Sequence, residues 1–435
     1  MQKPKLSFWQ IWNLSFGFLG VQIGYSLQNS NTSSIFQSLG ADMKSLSYFW
    51  LAAPIAGLII QPIVGMFSDK TWTRFGRRIP FILGGAIVST IALMLMPNCP
   101  VLLSFAPLAM GAFLLLFMDS SFNVTMQPFR ALVGDMLDDS QKTKGFAIQT
   151  LLVNIGAIIG GVLPTIMTAC GVSDAEIPGQ VPKHIAYSYY AGGAILLLTV
   201  LVTTFMVKEY PPKEFAMYNN IEEEVADEPK PSFWQLLKNV PKVMIQLGIT
   251  QFFSWAALFL MWTYLKPAIE GVVCNPAGEV LSAGATQSWV GMLNAAYPIP
   301  ACVMAIFMTK IASRFGNKLT YAFCLLCGAA GYFGLTQISN QYWMLLPMVG
   351  IGIAWAGILA MPYSILTKSV DVRRMGVYMG IFNFTITIPQ IIVGLTGGMI
   401  LSHVFGKEPM GMILLAGIFM LCAAVSVYFV KEKQS

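Results

Sequence analysis

The chain has 435 residues, of which 56% are hydrophobic and only 11% charged, with a mean hydropathy of +0.65, whereas soluble domains carry roughly 25% charged residues. That much apolar surface cannot be hidden in a water-soluble globule, which excludes a soluble enzyme or a nucleic-acid-binding domain, and the net charge of +6 needs another explanation. The apolar residues come in runs of about 20, the length that crosses a hydrocarbon core at about 1.5 Å per residue. In chain order, spans are predicted near 9–29, 46–67, 79–97, 101–127, 146–169, 187–207, 243–265, 286–308, 319–337, 343–366, 376–402 and 410–430. The expected fold class is an all-α integral membrane protein of twelve transmembrane helices, with the lipid bilayer as its partner. A basic, amphipathic lead-in and the lack of an A-x-A-like cleavage site predict that the first span is retained and is not a signal peptide.

Orientation follows from the cations, because Lys and Arg are held on the cytoplasmic side. With the N-terminus inside, the inner segments hold all 26 Lys and Arg except Lys44, Lys183, Lys266 and Lys407. Both termini are therefore expected in the cytoplasm, in a plasma membrane, with compact loops that lean towards a bacterial inner membrane. The same bias explains the net charge without any nucleic acid. No cofactor, no metal and a monomer are expected. Cys324 and Cys327 have the C-x-x-C spacing, but they lie in an apolar span without nearby His, where sulfur packs as a soft apolar group. The chain holds only two histidines, His184 and His403, both in outer segments, and no Ser/His or Cys/His arrangement that would support an enzyme. Asn31-Thr32-Ser33 matches a glycosylation sequon but lies too near the first span for a glycan.

An internal repeat organises the chain. Ser7-Phe8-Trp9-Gln10 recurs as Ser232-Phe233-Trp234-Gln235, each leading into the first span of a half. Arg74-Phe75-Gly76 recurs as Arg314-Phe315-Gly316, and Gln127-Pro128-Phe129 answers Met361-Pro362-Tyr363 at the inner end of each fourth span. Parallel repeats build two pseudo-symmetric bundles with a site where they meet. The predicted division is a six-helix bundle over 1–207, a cytoplasmic linker over 208–242 and a second bundle over 243–435. The linker carries Pro211, Pro212, Pro229, Pro231 and the run Glu222-Glu223-Glu224, and is expected to be a solvated spacer without chemistry.

The fourth span holds Asp119, the one acid placed well inside a span. Intramembrane ionisable groups are costly and mark function by default. Asp119 and Arg130 are eleven positions apart, about 1100° of helix, which leaves them about 20° from coincidence, with Asn123 about 40° away. One polar face of this helix therefore looks into the protein. The same eleven residues separate them by about 16 Å along the axis, too far for a direct pair. Away from water an anionic carboxyl is disfavoured, so Asp119 needs a partner or a proton.

The stretch Gly65-Met66-Phe67-Ser68-Asp69-Lys70-Thr71-Trp72-Thr73-Arg74-Phe75-Gly76-Arg77-Arg78 resembles the signature loop of the major facilitator superfamily. A carboxylate beside cations at helix ends can lock neighbouring helices and release them as bundles rock. Asp69, Arg74 and Arg78 are expected to act in this gating. Asp119, Asn123, Pro128 and Arg130-Ala131-Leu132 with Asp135 resemble the fourth helix of the proton-coupled sucrose transporters of plants and their animal and bacterial relatives. Trp355-Ala356, Met361 through Leu366, Gly376 through Gly380, Asn383 and Pro389-Gln390 resemble the tenth and eleventh helices of that group. The resemblance implies the major facilitator fold, alternating access, and symport of a proton with a disaccharide or glucoside such as sucrose or maltose. It makes Asp119 similar to the family's proton carrier and Arg130 to its essential arginine. Plant members carry Asp-Thr-Asp at the end of the seventh helix, where this chain has Trp262-Thr263-Tyr264. Related melibiose carriers place a cation-binding Asp before the Pro-Ile of the second helix, where this chain has Gln61, so the comparison favours protons over sodium.

A sugar needs hydroxyl-matching amides and Arg, and flat apolar surfaces for its ring faces. Gln22, Ser26 and Asn29 fall at i, i+4 and i+7 on the first span, and Asn383, Thr387 and Gln390 do so on the eleventh. Gln251, Trp255 and Trp262 share a face of the seventh, and the eighth adds Asn294 and Tyr297. The substrate contacts expected are Arg130, Asn123, Gln22, Asn29, Gln251, Trp255, Asn294, Tyr297, Asn383 and Gln390. A sodium-coupled or uncoupled carrier, or a non-transporting sugar sensor of the same fold, are the alternatives.

Overall fold

The computed structural model describes residues 3–40, 52–173, 179–219 and 233–431. Lys44, Glu222 through Glu224, Pro229, Pro231 and Ser232 lie outside the described residues. Among the described residues the fold is helical without a strand, with three isolated bridges in the loops. We number the long helices α1 (Phe8–Ser38), α2 (Ala52–Lys70), α3 (Ile79–Leu102), α4 (Pro107–Met136), α5 (Asp139–Ala169), α6 (Lys183–Met206), α7 (Lys242–Ile269), α8 (Trp289–Phe315), α9 (Asn317–Leu335), α10 (Leu345–Leu366), α11 (Val372–His403) and α12 (Met410–Phe429). All but α1 and α2 are long and apolar enough by composition to cross a membrane. Prolines sit inside several of them, among them Pro62, Pro128 and Pro362, which membrane helices tolerate where neighbours satisfy the freed backbone groups.

Helix ends differ from the expected boundaries where polar residues are buried. α1 runs on to Ser38 because Gln28, Asn31 and Thr32 are buried, so hydropathy understates its inward face. Asn31 donates to the Leu27 carbonyl inside the helix, which closes the sequon to a glycan. α5 starts at Asp139 because Asp138 caps it, accepting from the Ser140 N–H at 3.0 Å. Cys324 is buried in α9 and both Cys324 and Cys327 are free thiols.

Ser7 and Gln10 form a reciprocal capping box: the Ser7 N–H donates to Gln10 Oε1 at 2.8 Å, and the Gln10 N–H donates to Ser7 Oγ at 3.4 Å. In both Arg-Phe-Gly copies the arginine lies over the phenylalanine ring, at 4.8 Å for Arg74 and 5.4 Å for Arg314. The glycine that follows has a left-handed φ of 112° at Gly76 and 84° at Gly316, which a Cβ would resist.

Packing divides the chain into two units. The first comprises Met1–Gln141, Leu152–Ser232 and Asp371–Asn383; the second comprises Lys142–Leu151, Phe233–Val370 and Phe384–Ser435. Two short segments thus pack apart from the sequence half to which they belong. Residues 142–151, at the start of α5, join the second unit; residues 371–383, at the start of α11, join the first. The linker is no plain spacer where it begins. Glu209 reaches back to α3, and Phe215, in the short helix Pro212–Tyr218, lies edge-on to Trp72 at 5.7 Å and under the Arg77 guanidinium at 4.4 Å. The prolines and charges around them hid this docking in the sequence.

Candidate functional site

In the first unit a polar cluster forms where α1, α2 and α4 meet. Asp119 is 1% exposed, and one carboxylate oxygen accepts from the Gln28 amide at 2.5 Å. Its second oxygen has no partner among the described residues. One turn on, Asn123 donates to the Asp119 carbonyl at 2.8 Å and accepts from the Gln61 amide at 2.5 Å. Tyr25, on α1, packs edge-on to Phe122 at 5.9 Å, is hydrogen-bonded by Asn29, and lies in electrostatic reach of both Asp119 and Arg130. Arg130 is half-buried. Asn383 donates to the Gly57 carbonyl at 3.3 Å, and Gly57 also faces the Asn123 amide.

The sequence stripe on α1 is divided by this geometry. Ser26 donates to the Ala157 carbonyl at 2.9 Å and Gln22 packs on Gly156, so both face α5. Asn29 is exposed beyond its contact with Tyr25. Tyr25 and Gln28, which sequence reasoning missed, turn towards α4. Their three-residue spacing was a helix-face signal, but it competed with the more regular 22, 26, 29 stripe.

Beside the C-terminal ends of α2 and α4 a buried charge network forms. Asp135 accepts from Arg77 at 2.6 Å and from Arg78 Nε at 2.8 Å, and Arg78 pairs with Asp69 at 2.6 Å. Asp69 in turn accepts from the N–H groups of Gly376 and Val377 at 2.9 and 2.8 Å, a carboxylate on the positive end of a helix. Arg74, expected in this group, is exposed over Phe75, and Arg77 occupies the buried position instead. Glu209 completes the arrangement: its carboxylate accepts from the N–H groups of Arg78 and Ile79 at 2.8 and 2.9 Å. It thereby caps α3, whose own N-cap residue Arg78 supplies no side-chain bond. Burial pushes the Glu209 carboxyl above its ordinary value, against the pull of those N–H groups and Arg78.

The second unit holds an aromatic cluster. Trp355 is ringed by Trp255 at 5.6 Å, Trp262 at 6.0 Å and Tyr297 at 6.0 Å, all edge-on. The Trp262 indole donates to the Tyr297 hydroxyl, while the buried Trp255 Nε1 and the Asn294 Oδ1 have no partner among the described residues. Gln251 is fully buried, and its Oε1 is taken by Tyr321 at 3.1 Å and Ser254 at 3.3 Å. Its Nε2 lacks a partner among the described residues. Gln390 is half-buried on α11. That helix is interrupted at Asn383, so Asn383 and Gln390 do not share one continuous face and pack in different units.

Residues 35–406 match the family model described as MFS/sugar transport protein. The chain belongs to this family. It is 25% identical over 428 residues to the sucrose transport protein SUC4 of Arabidopsis thaliana, covering 87% of this chain and 81% of the relative. It is 26% identical over 474 residues to the sucrose transport protein SUT3 of Oryza sativa subsp. indica, covering 94% and 90%. A general alpha-glucoside permease of Schizosaccharomyces pombe is 26% identical over 277 residues, 58% of this chain and 46% of that one. Among solved structures the fold resembles the E. coli transporter FucP, in its outward conformation, with a TM-score of 0.74 at 16% identity over 97% of this chain and 99% of FucP. It also resembles the proton:xylose symporter XylE, with a TM-score of 0.73 at 12% identity over 97% and 96%. The expected major facilitator fold is thus the observed one. This member of the family is a multi-pass membrane sugar transporter, and its relatives are transporters, not enzymes.

Proposed function

We propose that this transporter couples the movement of a disaccharide or glucoside, with sucrose and maltose foremost, to a proton by alternating access, and that Asp119 carries the proton. The observation that carries the reading is the state of Asp119: buried, held by one neutral amide from Gln28, and with its second oxygen unpartnered among the described residues. A carboxyl so placed is neutralised most cheaply by a proton. Gln61, spent on Asn123, supplies an amide at the place where a sodium-binding carboxylate would be needed. Arg130, Asn123, Tyr25, Gln28 and Asn383 are the polar contacts for the sugar in the first unit, and the tryptophans around Trp355 with Asn294, Tyr297, Gln251 and Gln390 serve ring faces and hydroxyls in the second. Asp69, Arg77 and Arg78 hold the cytoplasmic gate, with both termini in the cytoplasm and the chain acting as a monomer in the plasma membrane.

The test is uptake of labelled sucrose and maltose into proteoliposomes under an inward proton gradient, with and without a protonophore, for wild type and Asp119→Asn. The expected result is accumulation that collapses with protonophore and in the variant. Accumulation indifferent to both sinks proton coupling, accumulation that follows a sodium gradient selects the sodium-coupled reading, and binding without uptake selects a sensor.

A further inference from the structure

Helix α10 ends at Leu366, and its last carbonyls need donors from beyond the helix. Most are local. The Thr367 N–H bonds the Tyr363 carbonyl at 3.0 Å, the Ser369 hydroxyl reaches Ile365 at 3.3 Å, and the N–H groups of Ser369 and Val370 reach Leu366 at 2.9 and 3.1 Å. The carbonyl of Thr367 itself is served from 225 residues earlier in the chain: Lys142 Nζ donates to it at 2.7 Å. Lys142 is only 2% exposed. An ammonium is strongly hydrated and costly to bury, so its placement on the negative end of one helix marks a built contact. Its neighbours are seated in the same place. Thr143 lies 2.8 Å from the Ser364 hydroxyl and donates to Asn317 Oδ1 at 3.0 Å, and Phe146 stacks on Tyr363 at 5.8 Å.

The connector after α10 is gripped at its far end as well. Asp69 takes the N–H groups of Gly376 and Val377, and Arg77 reaches the Val372 carbonyl at 3.4 Å. One stretch, 367–377, therefore has a cation on the carbonyl end of α10 and a carboxylate on the first N–H groups of the α-helical part of α11, Met375–Phe382. Both charges come from the first half of the sequence, and each is delivered within its own packing unit.

We propose that Lys142 is a second latch of the transport cycle, acting on the end of α10 as Asp69 acts on the start of α11. It is a positioning residue that touches neither proton nor sugar. The seat of residues 142–151 in the second unit is the state it stabilises, and the half-cycle in which this seat empties has to break the Lys142–Thr367 contact.

Hydrogen–deuterium exchange of the purified full chain tests this without a sugar, so a failure of the substrate reading and a failure of the latch remain distinguishable. Amides of 366–377 are compared in wild type, Lys142→Met and Lys142→Arg, with α12 as the reference for intact folding. Methionine keeps the length and loses the charge, and exchange in the connector is expected to rise about tenfold. Arginine keeps charge and donor, and exchange stays within about twofold of wild type. Should Lys142→Met not fold, Lys142→Gln makes the same comparison without the charge. Equal protection in wild type and the neutral variant overturns the proposal, as does equal loss of protection in the neutral and arginine variants.

Discussion

Glu209 shows how much one side chain outside the expected motifs can organise. It closes two N–H groups at the start of α3 while sitting beside the arginines that bind Asp69 and Asp135. Because its folded carboxyl binds a proton more readily than an unfolded one, its contribution to stability is complete below the ordinary carboxyl value and declines as pH rises from there to the folded value. The melting temperature of wild type relative to Glu209→Gln is therefore expected to fall as pH rises above the ordinary carboxyl value of 4.5. A difference independent of pH would contradict the assignment. The burial of Asp119 was legible from the polar face it shares with Asn123 on α4. Gln28 and Tyr25 were not, because a lone amide and a phenol on a largely apolar helix carry no sign of which neighbour they face. Arg77 and Arg74 are the same residue type three positions apart, and it is Arg77 that is buried, paired with Asp135 and stacked over Phe215.

Among the elements, the crossing of α2 with the first turns of α11 is set by small residues. A Cβ on Gly65 would strike the Gly376 carbonyl, and one on Gly380 would strike Pro62. This close approach lets Asp69 reach the N–H groups of Gly376 and Val377. Gly65→Val is expected to destabilise the fold by about 1–3 kcal/mol and to lower uptake, read as a lower melting temperature and a lower Vmax; full activity at unchanged stability would show that the contact is dispensable. Helix existence and order were legible from runs of apolar residues. The ends were less so: α1 overran its expected end because its buried polar residues satisfy themselves inside the bundle, as Asn31 does on Leu27. The start of α5 was fixed by the Asp138 cap, a local signal that hydropathy does not weigh.

For the molecule as a whole, the cation bias predicts both termini in the cytoplasm. In right-side-out vesicles an impermeant maleimide is expected to label Cys170 and a cysteine placed at Lys407, and to spare one placed at Lys213; the reverse pattern would invert the topology. Membrane class, the order of the long helices, the repeat and the family could all be read from the sequence, because they rest on composition, period and motifs that are local or recur along the chain. Tertiary structure alone decided that residues 142–151 and 371–383 pack apart from their own halves, that Gln28 and not Asn29 meets Asp119, and that Lys142 and Asp69 end up on opposite helix termini. Those outcomes depend on contacts between residues up to 326 positions apart, and nothing in a short window of sequence records which distant backbone group a buried charge will find.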